Sequence, residues 1–274
     1  MTLRVGPDGA RYLAVAQDQP VPRPFHLRWV LPHFCGTNPR RWWIACIAGW
    51  LTTAVGMFAW RIQSDPWQFA AAATVVLLAL PGILGPSVVI PVGVDLPSTG
   101  ITLLAVALSA TGQPHMVAAG VVLICWAAGV KESAPVWAAL WAWSPWLLIG
   151  LIPVAIRALT VKPGPDPLGE QFQRIADHPI RTALEHRRGR WRDAWLMAAP
   201  WGIGLLALVD PSPQLLAVLV VAHLQLLVAT DTVRLVHHAA GPVVAAAAVA
   251  HVPVEWLLFA VVAHVVWWRV PERV

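Results

Sequence analysis

From Trp42 to Trp268 the chain is a series of apolar runs, most of them 15 to 22 residues long, parted by short polar stretches. Wound as a helix at about 1.5 Å per residue, a run of that length approaches the roughly 30 Å hydrocarbon core of a bilayer. The runs read 42–60, 67–94, 97–111, 115–130, 135–156, 194–209, 213–229, 235–252 and 254–268. Water supplies no hydrogen bonds in lipid, so such segments must satisfy their own backbone, which favours helices. The expected fold is therefore all-α: a polytopic transmembrane helix bundle of about eight or nine hydrophobic segments.

Composition agrees. Hydrophobic residues make up 58% of the 274 and charged residues 12%, with mean hydropathy +0.63. A soluble domain carries about a quarter charged residues. The 17 tryptophans suit headgroup zones, and Trp42, Trp43 and Trp60 bracket the first run. Net charge is +5, almost all from arginine. Nucleic acid is the usual partner of so basic a chain, but here the basic residues flank apolar runs. Anionic lipid and the positive-inside rule explain them, and no nucleic-acid partner is expected. Cys35, Cys46 and Cys125 are odd in number, and two lie in expected spans, so no disulfide framework is implied.

Four regions follow. Residues 1–41 form a basic, proline-containing cytoplasmic arm, unlike the short charged region of a cleavable signal peptide. Residues 42–156 form an N-terminal transmembrane bundle. A basic amphipathic cytoplasmic loop spans 157–192, its apolar residues among arginines suggesting helices on anionic headgroups. Residues 193–274 form a C-terminal bundle of four spans. Arm and loop, both arginine-rich, belong on one side, yet five apolar segments separate them. One segment must fail to cross, and the candidates are the proline-broken 67–94 stretch and the two short runs, since re-entrant backbone is tolerated beside a protein cavity.

The polar residues within this apolar frame are the candidate site. In "VKESAPVW", Lys131, Glu132 and Ser133 stand between two runs. Ala134 precedes a proline, so a helix ends there, and the three polar residues can be a turn at the membrane face. The alternative is an acid held at partial membrane depth, which is functional by default. Asp95, in "VDLPSTG", either caps the next helix or lines a polar cavity. Asp65, in "SDPW", makes an ordinary Asp-Pro turn. Asp231 and Arg234 lie three apart on one helical face, either as a structural pair or with Arg234 gripping a lipid phosphate near His237 or His238. His223, His237, His251 and His264 recur evenly, but on alternating spans they fall at different depths. No shared metal is expected from them, and no Gly-rich phosphate loop or Ser-His-Asp order appears. No cofactor is expected.

Several fragments together resemble bacterial polytopic proteins of the type C glycosyltransferase superfamily: "FHLRWVLP" with Arg28, Leu31 and Pro32, "VDLPSTGITLLAVAL", "GVKESAPVW" and "TDTVRL". The resemblance implies a multi-span enzyme in a prokaryotic plasma membrane that moves sugar from a polyprenyl-phosphate donor at the outer face. It implies Asp65 in the 61–66 loop as general base, Asp95 and Glu132 shaping the polar cavity, and Arg234, Asp231, Lys131 and His237 around the phosphate. The rival expectation is a small non-enzymatic membrane protein, such as a phage or mobile-element product, an envelope factor or a small-solute conduit, in which Asp231 and Arg234 are structural.

Overall fold

The computed structural model describes residues 7–80, 82–83, 92–165, 178, 180–181, 184–185, 199–225 and 233–259. No strand occurs among them, so the chain is all-α as expected. The arm holds α1 (Pro7–Val15) and α2 (Val30–Cys35). The bundle begins with α3 (Pro39–Arg61), where Asn38 accepts from the Arg40 amide at 2.9 Å and Pro39 opens the first turn. With 23 residues, or roughly 34 Å, α3 is the one helix among the described residues both long and apolar enough to cross a membrane. Other apolar helices among the described residues are shorter, at 10 to 17 residues.

After α3 the chain turns at Asp65-Pro66 into α4 (Trp67–Ala79), which returns towards the arm. Its continuation places the Gly82 amide on His237, and Val92 and Val94 pack with Tyr12 and Phe25 of the arm. Helices α5 (Asp95–Ala110) and α6 (Pro114–Val130) then run out and back.

α3 and α5 run parallel with backbones in near contact, because glycines line the seam. A Cβ on Gly56 would lie 2.8 Å from the Leu104 amide nitrogen, and one on Gly100 would lie 2.9 Å from that of Thr53. Such close approach through small residues is how helices associate where lipid removes the hydrophobic drive.

The 135–156 run departs from expectation. It is not one crossing but a hairpin. α7 (Ala134–Ala142) is only nine residues, about 14 Å, and ends at Trp143 in a left-handed conformation (φ 51°). Ser144 precedes Pro145 and is extended. A 3₁₀ segment, Pro145–Gly150, folds back until Gly150 meets Pro135 and Ile124, and α8 (Leu151–Thr160) continues to the arm. There Arg157 Nε donates to the His26 carbonyl at 2.8 Å, and the Gly164 amide donates to the Val21 carbonyl at 2.8 Å. Residues 161–164 and the arm therefore share one end of the bundle. Among the described residues, the expected span that instead folds back on itself is 135–156.

The break frees backbone groups at the hairpin tip. Gln214 Nε2 donates to the carbonyls of Leu140 (3.0 Å) and Trp141 (2.6 Å), and Trp141 Nε1 donates to the Ala239 carbonyl. Gln214 opens α9 (Pro213–Leu224), whose first turn is capped by Ser212 accepting from the Leu215 amide at 3.1 Å. α9 leads back towards the arm end, where Gln225 bonds the Leu235 carbonyl, and α10 (Val233–Val249) rises again against the 3₁₀ segment Ala199–Leu208. Two cores result. The larger joins Leu77, Leu103, Ile124, Trp141, Leu215 and Ala240 within the bundle. The smaller joins Tyr12, Val15, Phe25, Leu31, Trp42, Val94 and Val130 at the arm end. The surface helices expected over 157–192 lie mostly outside the described residues.

Gly56→Leu should force α3 from α5 and cost on the order of 1–3 kcal/mol, the usual range for overpacking. Gly93→Ala, where nothing lies within 4 Å of an added Cβ, should leave stability unchanged. Thermal unfolding of the detergent-solubilised variants checks both; equal melting temperatures would remove the seam from the account.

Candidate functional site

A charged cluster forms where the arm meets the bundle. Arg28 follows the short helical turn Phe25–Leu27 and points its guanidinium at the link between α6 and α7. Its Nε and Nη2 donate to Glu132 Oε2 and Oε1 at 2.7 and 2.8 Å, a bidentate pair, while Nη1 donates to the Tyr12 hydroxyl at 2.8 Å. Lys131, next in the chain, turns the other way and pairs with Asp95. Arg234, near the start of α10, bridges outwards: Nη2 lies 2.7 Å from Asp8 Oδ2 and Nε 3.4 Å from Asp95 Oδ2. Arg11 stands 3.7 Å from the other oxygen of Asp8, and both Arg11 and Arg28 face the ring of Phe25 at 5.2 Å.

Local sequence explains the placement. α6 ends at Val130, and Lys131 is extended, so consecutive side chains at 131 and 132 diverge and reach different partners. Asp95 is the first residue of α5, where a carboxylate also meets the positive end of the helix. It does not cap that helix through its side chain, as one reading of the sequence had it; its oxygens go to Lys131 and Arg234.

The cluster brings together Asp95, Lys131, Glu132 and Arg234 of the expected residues. Asp65 is elsewhere. It accepts from Arg61 Nε at 2.7 Å, and the neighbouring Gln63 donates to the Ala107 carbonyl, roughly 18 Å along α5 from Asp95. A shared outer cavity of Asp65, Asp95 and Glu132 is therefore not what the fold builds: Asp95 and Glu132 sit at the arm end, Asp65 at the opposite one. His237 also turns away, accepting from the Gly82 amide at 3.0 Å with its ring 4.4 Å from that of Trp201. His238 stands beside the cluster instead, 2.7 Å from the Thr99 hydroxyl. Asp231 lies outside the described residues, and Arg234 has Asp8 and Asp95 as partners.

Asp8, Arg11 and Tyr12 were not singled out by the sequence, and Arg28 was seen only within a motif. Their partners lie 16 to 226 positions away for Tyr12 and Asp8, and nothing in local spacing signals such pairings.

Among the described residues four cations (Arg11, Arg28, Lys131, Arg234) face three carboxylates (Asp8, Asp95, Glu132). The interior is dry: Arg28, Lys131 and Asp95 side chains are 9–11% exposed. Glu132, Arg234 and Asp8 form a rim at 22%, 23% and 29%. Burial alone would raise the Glu132 carboxyl, but the charge and hydrogen bonds of Arg28 override it and hold it below its ordinary value near 4.5.

No protein-family model matches this chain, and searches of the curated proteins and of the solved structures find no match either.

Glu132→Gln strands the Arg28 charge and should cost roughly 3 kcal/mol, as for other buried pairs that lose one partner. Since folding lowers the Glu132 pKa, the pair stabilises fully above about pH 4.5 and progressively less as pH falls through the folded value. The stability gap between wild type and Glu132→Gln, followed by thermal melting from pH 7 to pH 3, should narrow below about pH 4.5. A constant gap would mean that the pair carries no pH-linked stability.

Proposed function

We propose that this chain is a multi-span integral membrane protein of a prokaryotic plasma membrane, and that its working site is the arm-end cluster. Exposed apolar side chains girdle the helices: Ile44, Ile47, Leu51 and Val55 on α3, Val122 on α6, Ile152 and Ile156 on α8, Val220 on α9. Lipid is the solvent that suits them. The ends differ in charge. Arg23, Arg40, Arg41, Arg157 and Lys162 gather at the arm end. Asp65, Asp210 and Glu255 lie at the other, where Arg61 is the one cation among the described residues. By the positive-inside rule the arm is cytoplasmic.

The reading of the site is a transferase that takes sugar from a polyprenyl-phosphate donor, divergent from type C glycosyltransferases. One observation carries it. The four fragments that resemble that superfamily lie around positions 28, 95, 131 and 234, and their charged residues Arg28, Asp95, Lys131, Glu132 and Arg234 meet in one cluster. A sugar phosphodiester bears one negative charge, which Arg234 at the rim can meet. As an acceptor hydroxyl attacks the anomeric carbon and passes its proton to solvent, the bond from that carbon to the phosphate oxygen breaks, charge grows on the departing phosphate, and fixed cations stabilise that change without reorganising. Asp95 and Glu132 hold those cations in place. Asp65 has no part in this reading, and the site moves from the outer face to the arm's face.

A second reading, a non-enzymatic bundle, is favoured by the fact that each cluster carboxylate already sits in an ion pair. Charge exchange separates the two. In Arg28→Glu with Glu132→Arg, a structural pair should recover the folding that either single change loses, while sugar transfer from a polyprenyl-phosphate donor should stay abolished if the site is catalytic. Transfer that persists at wild-type rate in Lys131→Gln and Arg234→Gln would end the transferase reading. The topology has its own test. With native cysteines replaced, Asp65→Cys should react with an impermeant thiol reagent on intact cells, and Lys162→Cys only after permeabilisation; labelling of both from one side would refute the crossing of α3.

A further inference from the structure

Each cation of the arm-end cluster holds a carboxylate, but a second group of cations at the same end does not. Among the described residues Arg23, Arg157 and Lys162 belong to no ion pair. The end of α8 brings them to the arm. Arg157 Nε donates to the His26 carbonyl at 2.8 Å and its guanidinium lies over the Trp29 ring at 5.5 Å, while its Nη groups bond nothing among the described residues. The Gly164 amide donates to the Val21 carbonyl at 2.8 Å, which holds Lys162 beside the stretch of arm that carries Arg23. Two carboxylates reach this junction. Glu132 is engaged by two nitrogens of Arg28, so that pair is neutral. Asp18 is 88% exposed and lies 3.1 Å from His33. Arg23, Arg157 and Lys162 against Asp18 leave a positive balance.

Beside the two arginines is a polar atom without a partner. His26 is 5% exposed, and its Nδ1 is buried with no hydrogen bond. Burial, and after it the charges of Arg23 and Arg157, hold the imidazole below its ordinary value near 6.5, so at neutral pH the ring carries a single N–H. Buried nitrogens of this kind normally find a partner. The neighbouring guanidiniums decide its sign: an anionic acceptor serves the ring and both arginines at once, whereas a cation serves none of them.

We infer that Arg23, Arg157 and the Nδ1 of His26 form a binding site for one phosphate group, carried on an anionic phospholipid headgroup or on a free phosphate ester, with Lys162 at its edge. The inference rests on the membrane reading above and is independent of the transferase reading. Arg157 offers its Nη groups as a fork, Arg23 adds a second charge, and His26 donates from Nδ1. The ground beside the site is apolar: Trp29 is 41% exposed, and Ile156 and Leu159 of α8 are 58% and 87% exposed. An indole and aliphatic side chains next to paired arginines suit the boundary where a headgroup gives way to its acyl chains. A phosphate held there ties the arm to α8 through charges that nothing else in the junction uses.

The test titrates the full chain in dodecyl maltoside with dioleoylphosphatidylglycerol and, separately, with inorganic phosphate, by calorimetry. One ligand should bind per chain. Arg23→Gln, on the exposed arm, should weaken binding about tenfold, the effect of losing one charged hydrogen bond, and Arg157→Gln at least as much. Arg40→Gln, exposed at the same end but outside the site, should leave it unchanged. In the wild type, His26 followed by NMR of isotope-labelled imidazole should titrate at a higher pH once ligand is bound, since an anion favours the charged ring. Binding of both ligands assigns the phosphate group itself, binding of the lipid alone assigns a headgroup held with its chains, and binding of phosphate alone assigns a soluble ester. If Arg40→Gln weakens binding as much as Arg23→Gln, or the His26 titration does not move, the attraction is diffuse and the site is refuted. A chain that needs detergent yet binds neither ligand keeps the membrane reading and ends the site. One that stays dissolved without detergent and binds phosphate through Arg23 ends the membrane reading and keeps the site.

Discussion

A buried guanidinium without a carboxylate is intolerable, and Arg28 meets that requirement with Glu132, 104 positions away. The rest of the arm end depends on this pair. With Glu132 committed to Arg28, Lys131 is left to Asp95, and Asp95 in turn fixes Arg234 at the start of α10. Replacing such a pair with apolar residues often costs nothing, whereas breaking it leaves a charge in a low-dielectric interior. Its contribution is therefore one of arrangement. The pairs dictate which part of the arm lies over which helix ends, and the apolar contacts of Tyr12, Phe25 and Trp42 then fill the space between.

The bundle beneath is held by different means. If lipid surrounds it, apolar burial between helices yields little, and close packing with internal hydrogen bonds has to serve. The glycine seam between α3 and α5 supplies the first. Gln214 supplies the second, bonding the carbonyls that the hairpin frees at the end of α7. The hairpin also sets the topology. By returning to its starting end it puts residues 161–164 beside the arm.

Much of the helical framework was legible in the sequence, because long apolar runs leave few alternatives, and the helix break between Val130 and Ala134 was marked by the residue preceding Pro135. The hairpin carried the same mark at Ser144-Pro145. There, a run long enough to span outweighed one local signal, although nothing obliges an apolar run of 22 residues to be one helix. The parity conflict between arm and loop drew attention to 67–94 and the two short runs, whereas the run that the fold breaks into a hairpin is 135–156. The cluster was half legible. Lys131, Glu132, Asp95 and Arg234 drew notice because charge within apolar sequence is costly. Their partners on the arm did not, because charges in a polar segment cost nothing until the fold buries them. Asp65 attracted notice through its loop, and a local pair with Arg61 accounts for it. His237 and His238 are neighbours about 100° apart on α10, so sequence cannot say which faces Asp95.

The gradient of exposure across the cluster separates a staple from a site. A staple between arm and bundle gains nothing from solvent at any of its members, since water weakens each pair and adds screening. Here the interior residues Arg28, Lys131 and Asp95 are enclosed, while Glu132, Asp8 and Arg234 keep about a quarter of their side-chain surface open. One rim carboxylate comes from the arm and stands on a helix end rather than on the bundle. On the reading proposed above, the Arg28–Glu132 and Lys131–Asp95 pairs hold the geometry and Arg234 at the open edge takes the anion.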